Sequence, residues 1–115
     1  MLPVPFHVGN AHRGASEMKG VAYVDGEDLV VEMQVKLWSL FKRPSQTFRI
    51  DLTDLDTVRH KRGWFGDAVT VRTRPMELAA EIPGSSDGAF CFQVKRKDRS
   101  AADALLDRLE LWLID

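Results

Sequence analysis

The chain lacks several of the features that mark common classes of protein. One cysteine in 115 residues excludes a disulfide framework and a zinc site built from four cysteines. No apolar run approaches the roughly 20 residues that span a bilayer, and prolines interrupt the N-terminal residues before any run of signal-peptide length. The formal net charge is −1, whereas domains that bind nucleic acid are usually strongly basic. We therefore expect a cytoplasmic protein that does not bind nucleic acid.

The apolar content is sufficient for one hydrophobic core. Hydrophobic residues make up 44% of the chain, which excludes an intrinsically disordered segment. A chain of this length buries roughly two-thirds of its unfolded surface, so it can fold without disulfides or a structural metal. We expect one domain over residues 1–115, with no internal repeat and no linker.

Alternating apolar and polar residues predict that most of the chain forms β-strands. Asp25-Gly26 predicts a tight hairpin turn, because glycine reaches positive φ without strain. The strand after this turn has period two over nine residues, which is typical of a half-buried strand. Its apolar positions are Leu29, Val31, Met33, Val35 and Leu37. Similar patterns at 48–52, 58–60, 68–73, 76–82 and 90–94 bring the prediction to seven strands within residues 18–96.

The two ends of the chain have different patterns. Residues 1–16 predict an extended arm with a short edge strand near residues 6–8, because Pro3 and Pro5 cannot donate to a central ladder. Residues 100–113 predict an amphipathic helix, with Ser100 and Asp103 in the positions of a capping box. The apolar stripe of this helix consists of Ala102, Leu105, Leu106, Leu109, Trp112 and Leu113.

This order of elements predicts a mainly β fold with one C-terminal helix. Strand twist accumulates, so seven antiparallel strands curl into a partly open barrel, and the helix plugs its open end. With Trp112 in the terminal helix, the pattern over residues 18–113 resembles a pleckstrin-homology-like (PH-like) domain of the small bacterial type. The alternatives are another small β-barrel and a calycin-like half-barrel with a terminal helix.

The resemblance implies a binding module without catalytic activity. Some PH domains bind phosphoinositides through a basic first hairpin loop, but here that loop contains Asp25, Glu27 and Asp28, which would repel phosphate. Other PH-like domains bind proteins or associate with themselves. The resemblance therefore favours a protein partner or self-association.

Charge is segregated along the chain although the total is near zero. Residues 17–35 hold five acidic residues and one lysine, and residues 36–74 hold nine basic residues and four aspartates. Alternate loops of an up-and-down meander share one end of the barrel. We therefore expect an acidic end, with loops around residues 25–28 and 54–56, and a basic, aromatic end, with loops around residues 42–43 and 61–65.

The candidate binding surface is the basic, aromatic end. Its residues are Lys42, Arg43, Lys61, Arg62, Trp64 and Phe65. Aromatic side chains in a basic, glycine-flanked loop can anchor a protein partner, and the alternative is contact with an anionic membrane. Trp38, Leu40 and Phe41 either extend this surface or pack at the barrel rim. In the plainest interpretation, Trp64 folds back onto the core and the cations are solvated.

No set of residues predicts an enzyme, a metal site or a cofactor. His7, His12 and His60 do not have the spacing of metal ligands. Cys91 has no suggested base beside it, and turn positions explain Asp54 and Asp56 better than acid–base catalysis does. The basic run 95–99 is interpreted as a solvated turn before the helix. We expect neither catalytic residues nor a small-molecule substrate.

Overall fold

The computed structural model of the chain describes residues 3–8, 16–37, 41–42, 46–83 and 85–113. Within them lie eight strands: β1 (Val4–Val8), β2 (Ser16–Asp25), β3 (Asp28–Leu37), β4 (Phe41–Lys42), β5 (Gln46–Asp51), β6 (Leu55–Arg62), β7 (Gly66–Thr73) and β8 (Ala89–Lys95). The helices are α1 (Met76–Ala80) and α2 (Arg99–Leu113). Short 3-10 turns at Leu52–Asp54 and Arg96–Asp98 precede β6 and α2.

The strands form one antiparallel sheet in the order β4-β3-β2-β1-β8-β7-β6. The short β4 and the longer β5 both pair with β3, β4 at Lys36–Leu37 and β5 along Asp28–Met33, so they share one edge position. The sheet therefore has seven positions across its width, and it is not closed into a barrel. The prediction of a mainly β, antiparallel fold with a C-terminal helix is confirmed.

Helix α2 covers the core as its apolar stripe predicted. Ala102, Leu105, Leu106 and Leu109 are buried against one cluster that includes side chains of both halves of the sheet. At the centre of that cluster, Phe6 lies 5.8 Å from Phe90 and 4.9 Å from Phe92 between ring centroids. Trp112 lies in α2, and its side chain is outside the described residues.

The predicted edge arm is instead a central strand. β1 pairs with β2 from Val4↔Ala22 to Val8↔Met18, and it pairs with β8 at His7↔Gln93. Val4, Phe6 and Val8 are buried, and burial of such side chains contributes about 1.5–3 kcal/mol each. One backbone hydrogen bond is worth only about 1 kcal/mol net, so the donor missing at Pro5 does not keep β1 out of the sheet.

The predicted sixth strand is also wrong, because residues 76–80 form helix α1. Met, Glu, Leu and Ala are all strong helix formers, and alternation over so few residues does not distinguish a strand from a helical turn. Thr73 stabilises the turn: its hydroxyl donates to the Pro75 carbonyl at 2.6 Å and accepts from the Ala79 N–H at 3.2 Å. The sheet still has seven strand positions, because β1 joins it as a strand that the sequence did not predict to be central.

The predicted acidic end is present. In the β2–β3 turn, Gly26 has φ +62°, as the turn signal required. The Leu52 N–H donates to the Glu27 carbonyl at 2.9 Å, which brings the β2–β3 turn against the turn that precedes β6. Arg49 lies within this acidic surface and binds Asp25 at 2.8 Å and Asp28 at 3.1 Å, so part of the negative charge is neutralised.

Candidate functional site

The candidate site is the connection between β6 and β7 together with the first residue of β7, which we call the aromatic loop (residues 63–66). Trp64 is 77% exposed and Phe65 is 88% exposed. In the described part of the chain, Met76 is the one other large apolar side chain that is mostly exposed. The interpretation in which Trp64 folds back onto the core is wrong. The preceding Lys61 and Arg62 are exposed at the end of β6 rather than within the loop.

Glycines allow the close backbone approaches at both ends of this loop. A Cβ atom added to Gly63 would lie 2.6 Å from the Gly66 carbonyl oxygen. One added to Gly66 would lie 2.5 Å from the Val94 carbonyl oxygen on β8. Both distances are shorter than van der Waals contact, and both obstacles are backbone atoms. The loop therefore requires glycine on each side of its aromatic pair.

A buried carboxylate holds the base of the loop, and we call its contacts the Asp67 cluster (His60, Asp67, Arg99 and the Gly63 carbonyl). Asp67 is only 2% exposed. His60 Nε2 lies 2.5 Å from Asp67 Oδ2, and Arg99 Nε donates to Asp67 Oδ1 at 2.8 Å. The same guanidinium donates through Nη2 to the Gly63 carbonyl at 2.6 Å. Strands β6 and β7, the loop and the start of α2 are thus joined at one point.

The electrostatics of the cluster favour the ionised form of Asp67. Burial by itself raises the pKa of this carboxyl, because a charged group loses hydration. The hydrogen bonds from His60 and Arg99 and the positive charge of Arg99 outweigh burial, so the pKa of Asp67 is lowered from its ordinary value. A buried charge is stable in a folded protein when it is paired and hydrogen-bonded in this way.

A second ion pair lies beside the Asp67 cluster, nearer to solvent. Arg62 Nη2 donates to both carboxylate oxygens of Asp103 at 2.9 Å, which ties the end of β6 to the N-terminal half of α2. Arg62 was predicted as a partner-binding residue. Its charge is already engaged within the chain, so it is a weaker candidate than Lys61, which makes no ion pair among the described residues.

The end of β8 and its connection to α2 add cations that the sequence predicts to lie in a solvated turn. Lys95, Arg96 and Lys97 are exposed, and the Arg96 guanidinium lies 5.7 Å from the Trp64 ring centroid, over its face. This distance is within the range of a cation–π interaction. The sheet order explains the proximity, because β7 lies between β6 and β8 and its first residues carry the loop.

The structure does not bring all the predicted site residues together. Lys42 lies in β4 at one edge of the sheet, while Lys61 and Arg62 lie in β6 at the other edge, with five strands between them. The expectation that the two loops meet is therefore wrong for Lys42. Arg43 lies outside the described residues, as do Trp38 and Leu40.

Among the described residues, His60, Asp67 and Asp103 could offer metal ligands, with ligand atoms within 4.8 Å of one another. Their oxygens already bind the guanidinium groups of Arg62 and Arg99. A metal ion would have to displace two cations that neutralise the same carboxylates. The contacts fit a structural ion-pair network better than a metal centre.

Two neighbouring clefts lie beside the aromatic loop. The larger has a volume of about 670 Å³ and lies over β1, β2 and β3. The smaller has a volume of about 280 Å³ and lies between Phe65 and strands β7 and β8. His7 and Lys95 line both, so the two clefts adjoin at these residues.

Comparison with known proteins does not identify a family. No family model, no curated protein and no solved structure matches the chain. The resemblance to PH-like domains therefore remains a prediction. Among the described residues, no helix has the length and apolar character that crossing a membrane would need.

Proposed function

We propose that the chain is a non-catalytic, PH-like interaction module that binds a protein partner, or a second copy of itself, through the aromatic loop. The observation that carries the proposal is the exposure of Trp64 and Phe65 on a loop whose base is fixed by the Asp67 cluster. Aromatic side chains are enriched among the residues that contribute most to protein binding. Exposure of two adjacent aromatics leaves apolar surface in water that a partner could cover.

The fixed loop base supports binding in a second way. Ordering a mobile loop on association costs free energy that must be subtracted from the contacts it makes. Here Arg99 already bonds to the Gly63 carbonyl and to Asp67, so the loop enters the complex with less freedom to lose. The surrounding Lys61, Lys95 and Lys97 would steer an acidic partner toward the aromatic pair.

Capture of partners by matched variants tests this function. The double variant Trp64→Ala/Phe65→Ala should lose proteins that the wild-type chain recovers from an extract of its source cells, or lose self-association. Met76→Ala is the control, because it removes another exposed apolar side chain, at the opposite end of β7 from the loop. Circular dichroism establishes that each variant is folded. Unchanged capture and unchanged association by the folded double variant would contradict the proposal.

Contact with an anionic membrane is the second candidate, favoured by the same aromatic pair beside lysines that make no ion pair among the described residues. Each cation near an anionic surface contributes about 1 kcal/mol. Co-sedimentation with vesicles containing phosphatidylserine, at low salt, should then exceed that with phosphatidylcholine vesicles alone. Equal sedimentation with the two kinds of vesicle would reject this candidate and leave the protein-binding function in place.

A further inference from the structure

A row of side chains crosses the sheet beside the aromatic loop. Cross-strand pairing places Lys61 opposite Ala68, Ala68 opposite Gln93, Gln93 opposite His7, and His7 opposite Lys19. We call these five residues the outer row. It runs across β6, β7, β8, β1 and β2, and its members come from distant parts of the sequence. Members of the row line both clefts, and we call these two adjoining clefts the groove.

The outer row faces away from the core. His7 alternates along β1 with the buried Phe6 and Val8, and successive strand residues point to opposite faces of a sheet. Lys19 similarly follows the buried Met18, and it is exposed. Helix α2 buries its stripe on the core side, so among the described residues no helix covers the outer row.

The groove has the dimensions of a short extended peptide. The row spans four interstrand spacings from Lys61 to Lys19, and at about 4.8 Å each this gives about 19 Å. An extended chain rises about 3.3 Å per residue, so about six residues cover the row. Phe65 lines the smaller cleft, and Val21 and Pro5 line the larger, so apolar contacts are available in both.

The charges along the groove select an acidic occupant. Lys19, Lys61, Lys95 and Lys97 line it, and none of them forms an ion pair among the described residues. Of the three lining carboxylates, Asp67 is already paired with Arg99. The other two are Glu32, which accepts a hydrogen bond from the Tyr23 hydroxyl, and Asp98, which lies near Lys97. A continuous polyphosphate would be repelled at these two carboxylates. A peptide can place backbone N–H groups opposite them and its own carboxylates opposite the lysines.

We infer that the groove binds an extended acidic segment of a protein partner, about six residues long, with an apolar residue of that segment against Phe65. This inference rests on the proposed protein-binding function and names the chemistry of the partner. The aromatic loop supplies the apolar anchor, and the outer row supplies register and charge. Lys61 and Lys19 lie at the two ends of the outer row, so acidic residues near both ends of the segment would meet them.

Titration of the full chain with a defined peptide tests the inference. The probe is an acetylated, amidated six-residue peptide of one leucine and five glutamates, followed by NMR of the backbone amides. We expect saturable shifts at His7, Lys19, Lys95 and Phe65 that weaken with added salt. A peptide of one leucine and five lysines should produce none of them. Absence of shifts at millimolar peptide, or equal shifts with the lysine peptide, would overturn the inference.

Charge reversal supplies the matched comparison. Lys19→Glu with Lys95→Glu should weaken binding of the acidic peptide by about fivefold or more, since two favourable contacts become repulsive. Arg74→Glu with Arg108→Glu makes the same change in net charge at exposed positions outside the groove, and it should leave the affinity within about twofold. Equal weakening by both pairs would mean that only net charge attracts the peptide, which would overturn the groove.

Two further arms distinguish other occupants and separate this inference from the proposed function. Tighter binding of a six-nucleotide single-stranded RNA or of phosphatidylserine vesicles at the same residues would overturn the choice of an acidic peptide. If the peptide does not bind while Trp64→Ala/Phe65→Ala still abolishes partner capture, the inference about the groove is contradicted and the proposed function is supported. If the peptide binds and the double variant captures partners normally, the proposed role of the aromatic loop is contradicted and the inference about the groove is supported.

Discussion

Replacing Arg99 with methionine tests whether the Asp67 cluster holds the aromatic loop. Methionine keeps an unbranched apolar chain in place of the aliphatic part of the arginine, but it lacks the guanidinium that bonds to Asp67 and to the Gly63 carbonyl. The Asp67 side chain is fully buried, so its carboxylate would keep only His60 as a partner. Removal of one member of a buried ion pair costs about 3–5 kcal/mol, because the remaining charge is left without compensation.

The Arg99 side chain is 23% exposed, so water replaces part of the lost interaction and the expected loss is about 2–3 kcal/mol in the free energy of unfolding. For a domain of this length that lowers Tm by about 10 °C. The control is Arg62→Met, which breaks a pair whose side chains are 57% and 39% exposed and should cost under about 1 kcal/mol. Urea unfolding followed by circular dichroism measures both. Equal losses in the two variants would refute the reasoning.

Three other predictions follow from the same site. Gly66→Ala should destabilise the fold by about 2 kcal/mol in urea unfolding, since its Cβ would lie 2.5 Å from a backbone oxygen, and a neutral effect would contradict the loop geometry. Trp64→Ala/Phe65→Ala should leave the free energy of unfolding within about 0.5 kcal/mol, because both side chains are already in water; a loss above about 2 kcal/mol would show that they are structural. Because the pKa of Asp67 is lowered in the folded chain, the unfolded chain takes up the proton first as the pH falls. The ionised Asp67 therefore stabilises the fold fully above its ordinary pKa of 3.8, and this stabilisation is lost as the pH falls through the lower pKa of the folded state. Asp67→Asn should therefore reduce the slope of unfolding free energy against pH below about pH 4, and an unchanged slope would contradict the assignment.

Local signals were sufficient to predict the hairpin and the terminal helix. Gly26 adopts the positive φ that its turn requires, and Leu29, Val31 and Met33 of β3 are buried as the period-two pattern predicts, although Val30 is buried as well. The helix signal is equally local, since Leu105 and Leu109 lie one turn apart on its buried face. In each case the residues that determine the element lie within it.

The errors arose where tertiary contacts outweigh local preference. Pro5 argued against a central strand, but its neighbour Phe6 packs on Phe90 and Phe92 and places β1 between β2 and β8. The segment 76–80 alternates like a strand, and the Thr73 hydroxyl bonds it into a helical turn. Short alternating segments carry too few residues for periodicity to decide between the two structures.

The candidate site was predictable only in part. Adjacent Trp64 and Phe65 between glycines indicated an exposed loop from sequence alone, and they are exposed. Arg99 is 36 residues from Gly63 and 32 from Asp67, and only the placement of α2 against β6 brings them together. The outer row depends in the same way on β1 lying next to β8, which the sequence analysis did not predict.

Site-specific photo-crosslinking at position 65 tests the central claim most directly. A benzophenone amino acid in place of Phe65 retains a large aromatic side chain at an exposed position, and the same group in place of Met76 is the matched control. After irradiation in the source cells, we expect a discrete protein adduct from position 65 that is absent from position 76. No discrete protein adduct at position 65, or the same adducts from both positions, would contradict a docking surface at the aromatic loop.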